Sequence, residues 1–250
     1  MKEMIKKMMA LVLFVALSNV AKSEDKVYLF TEQLPPYNMT VNDKPFAHSA
    51  DDITGLCVDI VKEIFKSAAV PYKMKLRNWS YGISRVTRSA NNGIFCTART
   101  EERENQFKWV GPITSSNAVL FAKPNSKIKL DSVEDARKYK IGGYKDDFMS
   151  EYFVTNNFDI SLVNNDVMNP SRLKQGSIDL WVADELSGPY VASDAQNIDD
   201  LTKVLTLNST PMYIAFNLET PDAIIKKLQK ALKAARASGK VDNLEQLYGR

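Results

Sequence analysis

TARTEERENQFKWVGP, residues 97–112, follows directly on the apolar run Ile94, Phe95, Cys96, and its reading governs the rest of the chain. An apolar run bounded by a polar segment reads as a buried strand ending in a turn. Arg99 and Arg103 then stand at the mouth of a sheet. A guanidinium placed there offers a planar fork of donors that matches a carboxylate bidentately. The same arginines, beside Glu101, Glu102 and Glu104, can equally be solvated surface residues, and this stretch alone leaves both readings open.

Working outward, strand and helix patterns alternate. Residues 26–31 (KVYLFT) read as a strand stopped by Pro35-Pro36, which removes backbone donors and forces extended geometry. Cys57, Ile60, Val61, Ile64, Phe65 and Ala68 recur at helical spacing on one face, with Asp59, Lys62, Glu63 and Lys66 opposite. In 72–77 the outward Lys73 and Lys75 alternate with inward Met74 and Leu76, the mark of a half-buried strand. A helix at about 81–89 and the strand 94–98 complete a βαβαβ unit, for which parallel strands and right-handed crossovers are expected. A second such unit is expected from strand 119–122, helix 132–138, strand 140–143, helix 147–154, strand 160–163, a helix after Pro170 and strand 178–183. Thr220-Pro221-Asp222 starts a further helix with a hydroxyl cap, a proline in the first turn and an acid near the positive pole. Ile224, Ile225, Leu228, Ala231, Leu232 and Ala235 form its buried stripe, Gly239 stops it, and a short last helix carries Leu244, Leu247 and Tyr248.

Thr100-x-x-Arg103 with the downstream Phe107 and Gly111-Pro112 resembles the post-strand turn of the periplasmic solute-binding proteins of polar amino-acid ABC importers, the bacterial extracellular solute-binding family 3. The resemblance runs from Val27 to the C-terminus. It implies an α/β, two-lobed type II periplasmic-binding fold, each lobe a mostly parallel sheet flanked by helices, with two hinge crossovers near 116–119 and 210–213. Lobe 1 would be 24–117 plus 212–250, and lobe 2 would be 118–211. The position of Arg103 is the one that holds a ligand carboxylate in that family, and Asp184, after the strand begun by Asp179, matches the aspartate that holds the ligand ammonium. An acid directly after a buried strand faces the crevice of an open α/β sheet, though it can also cap the segment that follows. Trp79 matches the aromatic that stacks on the ligand; Tyr37, Thr100, Ala98 and Asp147 complete the expected contacts, while Trp109 and Trp181 are assigned to packing. Two positions depart from the family pattern. Ala98 stands where a hydroxyl residue is usual, and Asp146-Asp147 replace a Gly-Thr tip whose N–H groups bind carboxylate, so an anion there would be repelled unless both side chains turn away.

The ends and the composition bound the function. Lys2, Lys6 and Lys7, the apolar run 8–15 and the small-x-small site Ala21-Lys22-Ser23 read as a signal peptide over 1–23, with cleavage after Ser18 the alternative. The apolar run is too short to span a bilayer, so an exported, released periplasmic protein is expected. The leader holds four lysines and one glutamate, which leaves 29 basic and 29 acidic residues and no charge reason to expect nucleic acid or an anionic membrane as partner. Cys57 and Cys96 are too few for a disulfide scaffold; whether they pair depends on a Cα separation that spacing does not reveal. His48, the one histidine, is expected in solvent, and no cofactor or metal is expected. The function implied is a monomeric receptor that closes on a small carboxylate-bearing solute and delivers it to a membrane ABC permease. A dehydratase-type lyase on the same scaffold, with Glu32 or Asp184 as general base, and a soluble sensor module are the alternatives, the first lacking a histidine partner or nucleophile motif.

Overall fold

The computed structural model describes residues 26–42, 44–145, 147–164 and 166–249; the expected leader at 1–23 and Asp146 lie outside the described residues. The first part of the chain supplies β1 (Val27–Thr31), the short pair β2 (Met39–Thr40) and β3 (Ile53–Thr54), α1 (Leu56–Ala68), β4 (Tyr72–Leu76), α2 (Trp79–Arg88) and β5 (Asn92–Ala98). It continues through β6 (Lys108–Ala122), β7 (Ile141–Tyr144), α3 (Phe148–Thr155), β8 (Ile160–Val163), α4 (Asn169–Lys174) and β9 (Leu180–Asp184). α5 (Ser187–Gln196), β10 (Thr202–Phe216), α6 (Asp222–Ala237) and α7 (Lys240–Leu247) end it.

Eight strands join in the order β4–β1–β5–β10–β6–β9–β7–β8. As the alternation of elements predicts, β1 runs parallel to β4 and β5. The second unit differs from the expected one. Its first strand is not the four-residue piece 119–122 but the end of the fifteen-residue β6, and it runs antiparallel to β9. The parallel part of that half is β9–β7–β8. β6 and β10 pair antiparallel along their length, β10 attaching to β5 at one end and β6 attaching to β9 at the other. One two-stranded ribbon thus carries both crossings and makes a single sheet of two lobes.

Other differences are local. Residues 133–138 form a 3₁₀ helix rather than an α-helix, held by a capping box between Ser132 and Asp135. α2 starts two residues earlier than expected because the Asn78 side chain accepts a hydrogen bond from the Tyr81 N–H at 2.9 Å, closing the first turn.

Packing follows the sequence stripes. α1 buries Ile60, Val61, Ile64 and Phe65, each worth roughly 1.5–3 kcal/mol, against β1, α6 and α7 in the largest core cluster. The other face of that sheet carries Phe30 and Ile94, which pack against Val86 of α2. In the second half, alternate residues of β9 divide between two smaller cores, Leu180 and Val182 toward α3, Trp181 and Ala183 toward α4 and α5.

Cys57 and Cys96 are disulfide-bonded, with Cα atoms 5.9 Å apart. Cys96 sits in the left-handed region at φ 61°, where the pairing of β10 with β5 shifts register between Tyr213 and Ile214. A bulge of this kind turns one side chain out of the strand alternation, and here it aims Cys96 at the first turn of α1. His48 is exposed, with both ring nitrogens close to the Arg77 guanidinium.

Candidate functional site

The segment after β1 is held against the N-terminus of α1. The N–H groups of Leu56 and Cys57 donate to the carbonyls of Pro36 and Tyr37, each at 3.0 Å. This close approach requires Gly55, whose φ is +121° and where a Cβ would collide with the Pro36 and Tyr37 carbonyl groups. Tyr37, 1% exposed, is thereby aimed from the first half toward the end of β9.

There it meets Asp184. The Tyr37 hydroxyl donates to Asp184 Oδ2 at 3.0 Å, and Ser116 Oγ donates to the same oxygen at 2.7 Å. Asp184 Oδ1 accepts from the N–H groups of Leu186 and Ser187 at 2.9 and 3.0 Å, at the start of α5. The carboxylate therefore does both things the sequence allowed: it caps the following segment and faces the cleft. Ser187 Oγ donates to the Pro35 carbonyl at 2.7 Å, and Leu186 packs into the first-half core, so the halves touch across this point.

A cavity of about 320 Å³ lies here. Leu34 and Tyr37 reach it from the first half, Ser116 and Met212 from the ribbon, and Tyr144, Asp147, Met149, Asp166 and Asp184 from the second half. Among the described residues its wall holds three carboxylates and no lysine, arginine or histidine. Asp147, 5% exposed, is the N-cap of α3, accepting from the N–H and hydroxyl of Ser150 at 2.8 and 2.9 Å. The positive pole of that helix is thus already matched by the chain's own acid. Asp166 accepts from Asn169 Nδ2 at 2.8 Å and Trp181 Nε1 at 2.9 Å. Burial pushes its carboxyl up to about 6, aided by the charge of Asp147 and opposed by those two hydrogen bonds. Tyr144 is pushed up to about 12, first by burial and then by Asp147 and Asp166. Burial also raises Glu32, outside this wall.

Of the seven residues singled out from the sequence, Tyr37, Asp147 and Asp184 line the cavity. Arg103 lies elsewhere on the first half. Its guanidinium sits 5.4 Å from the Trp79 ring centroid and donates to Thr97 Oγ1 at 3.0 Å, while its N–H donates to the Thr100 carbonyl at 3.1 Å. Ala98 pairs with Met212, which is itself in the cavity wall. Arg99 pairs with Glu104 and lies over Trp109 and Tyr213, a surface arrangement. Trp181 is fully buried, as assigned. Asp166 was missed, although it stands three residues past β8 and the rule that selected Asp184 would have found it.

The model of the bacterial extracellular solute-binding proteins, family 3, matches residues 29–250. The chain belongs to that family. Solved structures share its type II fold. Substrate-binding domain 2 of Lactococcus lactis GlnP, in an open conformation, matches with TM-score 0.75 at 16% identity, covering 90% of this chain and 96% of that one. A histidine kinase sensor domain similar to periplasmic binding proteins matches with TM-score 0.66 at 18% identity, over 90% and 96%. An ancestral amino-acid-binding protein, a precursor of cyclohexadienyl dehydratase, matches with TM-score 0.63 at 16% identity, over 90% and 96%. No curated protein sequence matches the chain. Among the described residues of this family member, no helix is long and apolar enough to cross a membrane.

Proposed function

We propose that this family member is a periplasmic receptor that encloses a small solute carrying an amine and a carboxylate, and delivers it to an ABC importer. The observation that carries this reading is the cavity of about 320 Å³ walled by both halves, with Tyr37 of one bonded to Asp184 of the other. The halves are lobe 1, 24–117 plus 212–250, and lobe 2, 118–211, with the β6–β10 ribbon as the hinge.

Three carboxylates without a basic neighbour in the wall favour the amine end of the solute. Each of these acids already accepts hydrogen bonds, but hydrogen bonding leaves its negative charge in place, and a cation offsets that charge at close range. The amine replaces the Tyr37 hydroxyl at Asp184 Oδ2, and the carboxylate reaches outward to Arg103, which Trp79 and Thr97 hold in position. The contacts made in the closed form alone are what shift the hinge. Binding from both head groups at about 1.5–3 kcal/mol each, with packing of the remainder, is sufficient for micromolar affinity.

Calorimetry with cationic and zwitterionic amines tests the reading directly. Asp184→Asn and Arg103→Ala each weaken a zwitterion, whereas a simple amine loses affinity only in Asp184→Asn. Equal binding by all three proteins would remove both residues from the site. We read the protein as a binder rather than an enzyme. Turnover of a bound solute, seen by mass spectrometry and lost in Asp166→Asn, would reverse that.

A further inference from the structure

A second cavity, of about 370 Å³, adjoins the first. Met149, in the first turn of α3, lines both. The two spaces lie on one face of the hinge ribbon: Ser116 borders the first and Ala118 the second, and residues i and i+2 of a strand point the same way, about 7 Å apart. Their chemistry differs. The second is walled by the apolar Val133, Met149, Tyr152, Leu205 and Leu207, with the exposed Thr206 and Asn208 between and beside the leucines and Asp131 and Ser132 on the exposed 131–132 turn. Tyr152 is 45% exposed, so the space opens to solvent on that side.

Resting on the reading of the cleft as a solute site, we propose that the ligand is amphipathic: its cationic head sits among Asp147, Asp166 and Asp184, and an apolar tail passes Met149 into the second cavity. Charge complementarity sets the direction, because an alkyl or aryl tail gains nothing against three carboxylates, whereas the single acid of the second space, Asp131, lies on its exposed edge where solvent and salt screen it. Met149 suits the junction. Its unbranched thioether changes shape at little cost and packs against either an alkyl chain or a ring. Each space falls within the range of a small-molecule site, and together they exceed what a short amine would fill.

The test is a series of straight-chain alkylamines from propyl to octyl, titrated by calorimetry into the protein purified from the periplasm. Affinity is expected to rise about fourfold for each added methylene once the chain reaches past Met149. Tyr152→Ala, a change at a half-exposed side chain whose folding is verified by an unchanged circular-dichroism spectrum, is expected to weaken octylamine about tenfold and leave propylamine unchanged. Affinity that is flat along the series in a protein that binds propylamine would overturn the tail site and leave the receptor reading standing. Failure of every amine to bind, with zwitterions still bound, would overturn the cationic head site and with it this proposal.

Discussion

The two halves of this molecule solve different problems. The first is built around one large core in which α1, α6 and α7 cover a single sheet face, and it is cross-linked by Cys57–Cys96. The second divides its apolar residues between two smaller cores on opposite faces and contains no cystine; it carries instead Asp147, Asp166 and Asp184, held by helix starts and short loops. The first half presents Arg103 over Trp79, while the second contributes the three acids of the cavity wall. The contrast teaches that a disulfide-linked half with one large core and an acidic half with two smaller ones can share one sheet, joined through the long β6–β10 ribbon.

The sharpest way to break this contrast is to remove the cross-link. The disulfide closes a loop of sequence separation 39, for which unfolded-chain entropy gives about 4 kcal/mol. Cys57→Ala with Cys96→Ala is expected to lower the unfolding free energy by that order in urea titration. Hydrogen exchange should show the loss in α1 and β5 and spare β7–β9. Equal loss in both halves would mean that they are one cooperative unit.

The next effect belongs to binding. Arg103→Ala is expected to reduce zwitterion affinity about 100-fold, the equivalent of about 2.7 kcal/mol, with the melting temperature of the unliganded protein unchanged. Gly55→Ala comes third. It forces a left-handed residue to carry a Cβ against the Tyr37 carbonyl and is expected to cost more than about 1 kcal/mol. Because Tyr37 shifts with it, ligand affinity should fall as well, which separates it from a purely structural lesion elsewhere in lobe 1.

The smallest effect tests the acids of the second half. Asp166 binds its proton more tightly in the folded protein, at about 6 against 3.8. Between those values the folded state holds more protons than the unfolded one, so this group favours folding at low pH and its contribution is lost as pH rises through about 6. The difference in thermal stability between the wild type and Asp166→Asn should therefore change in that window, the variant gaining relative stability toward pH 7. An amine ligand should show the opposite trend, binding the wild type better above about 6, where Asp166 is charged. A stability difference that stays constant from pH 4.5 to 7 would show that Asp166 titrates normally.

How much could be read in advance follows from how local each signal is. The stripe of α1 and the alternation of β4 are local patterns, and each appears where the spacing put it; α6 also starts beside the proline, but Pro221 rather than Thr220 is its N-cap, because the Thr220 hydroxyl accepts from the Asn91 N–H instead. β10 was legible only as a crossing point. Its half-exposed run, with Pro211 inside it, carries no strand periodicity because its stability comes from pairing on both sides with β5 and β6. α5 was missed because Ser187-Gly188-Pro189 reads as a turn. What starts that helix is the Asp184 carboxylate accepting from the Leu186 and Ser187 N–H groups. The pairing of the cysteines hung on a bulge at Cys96 that follows from the register of a distant strand.

By itself, then, the order of residues determined the alternation of strands and helices, the apolar faces that must be buried and the family; that Tyr37, rather than Arg103, is the residue that meets Asp184 came only from the structure. Only the folded structure decided that both crossings are one antiparallel ribbon, that Cys57 and Cys96 join, and that the cavity between the halves is walled by acids while Arg103 stands outside it. The physical reason is range. Periodicity and capping act within a few residues, whereas register, a closed disulfide and the sign of charge in a cavity depend on which distant segments are brought side by side.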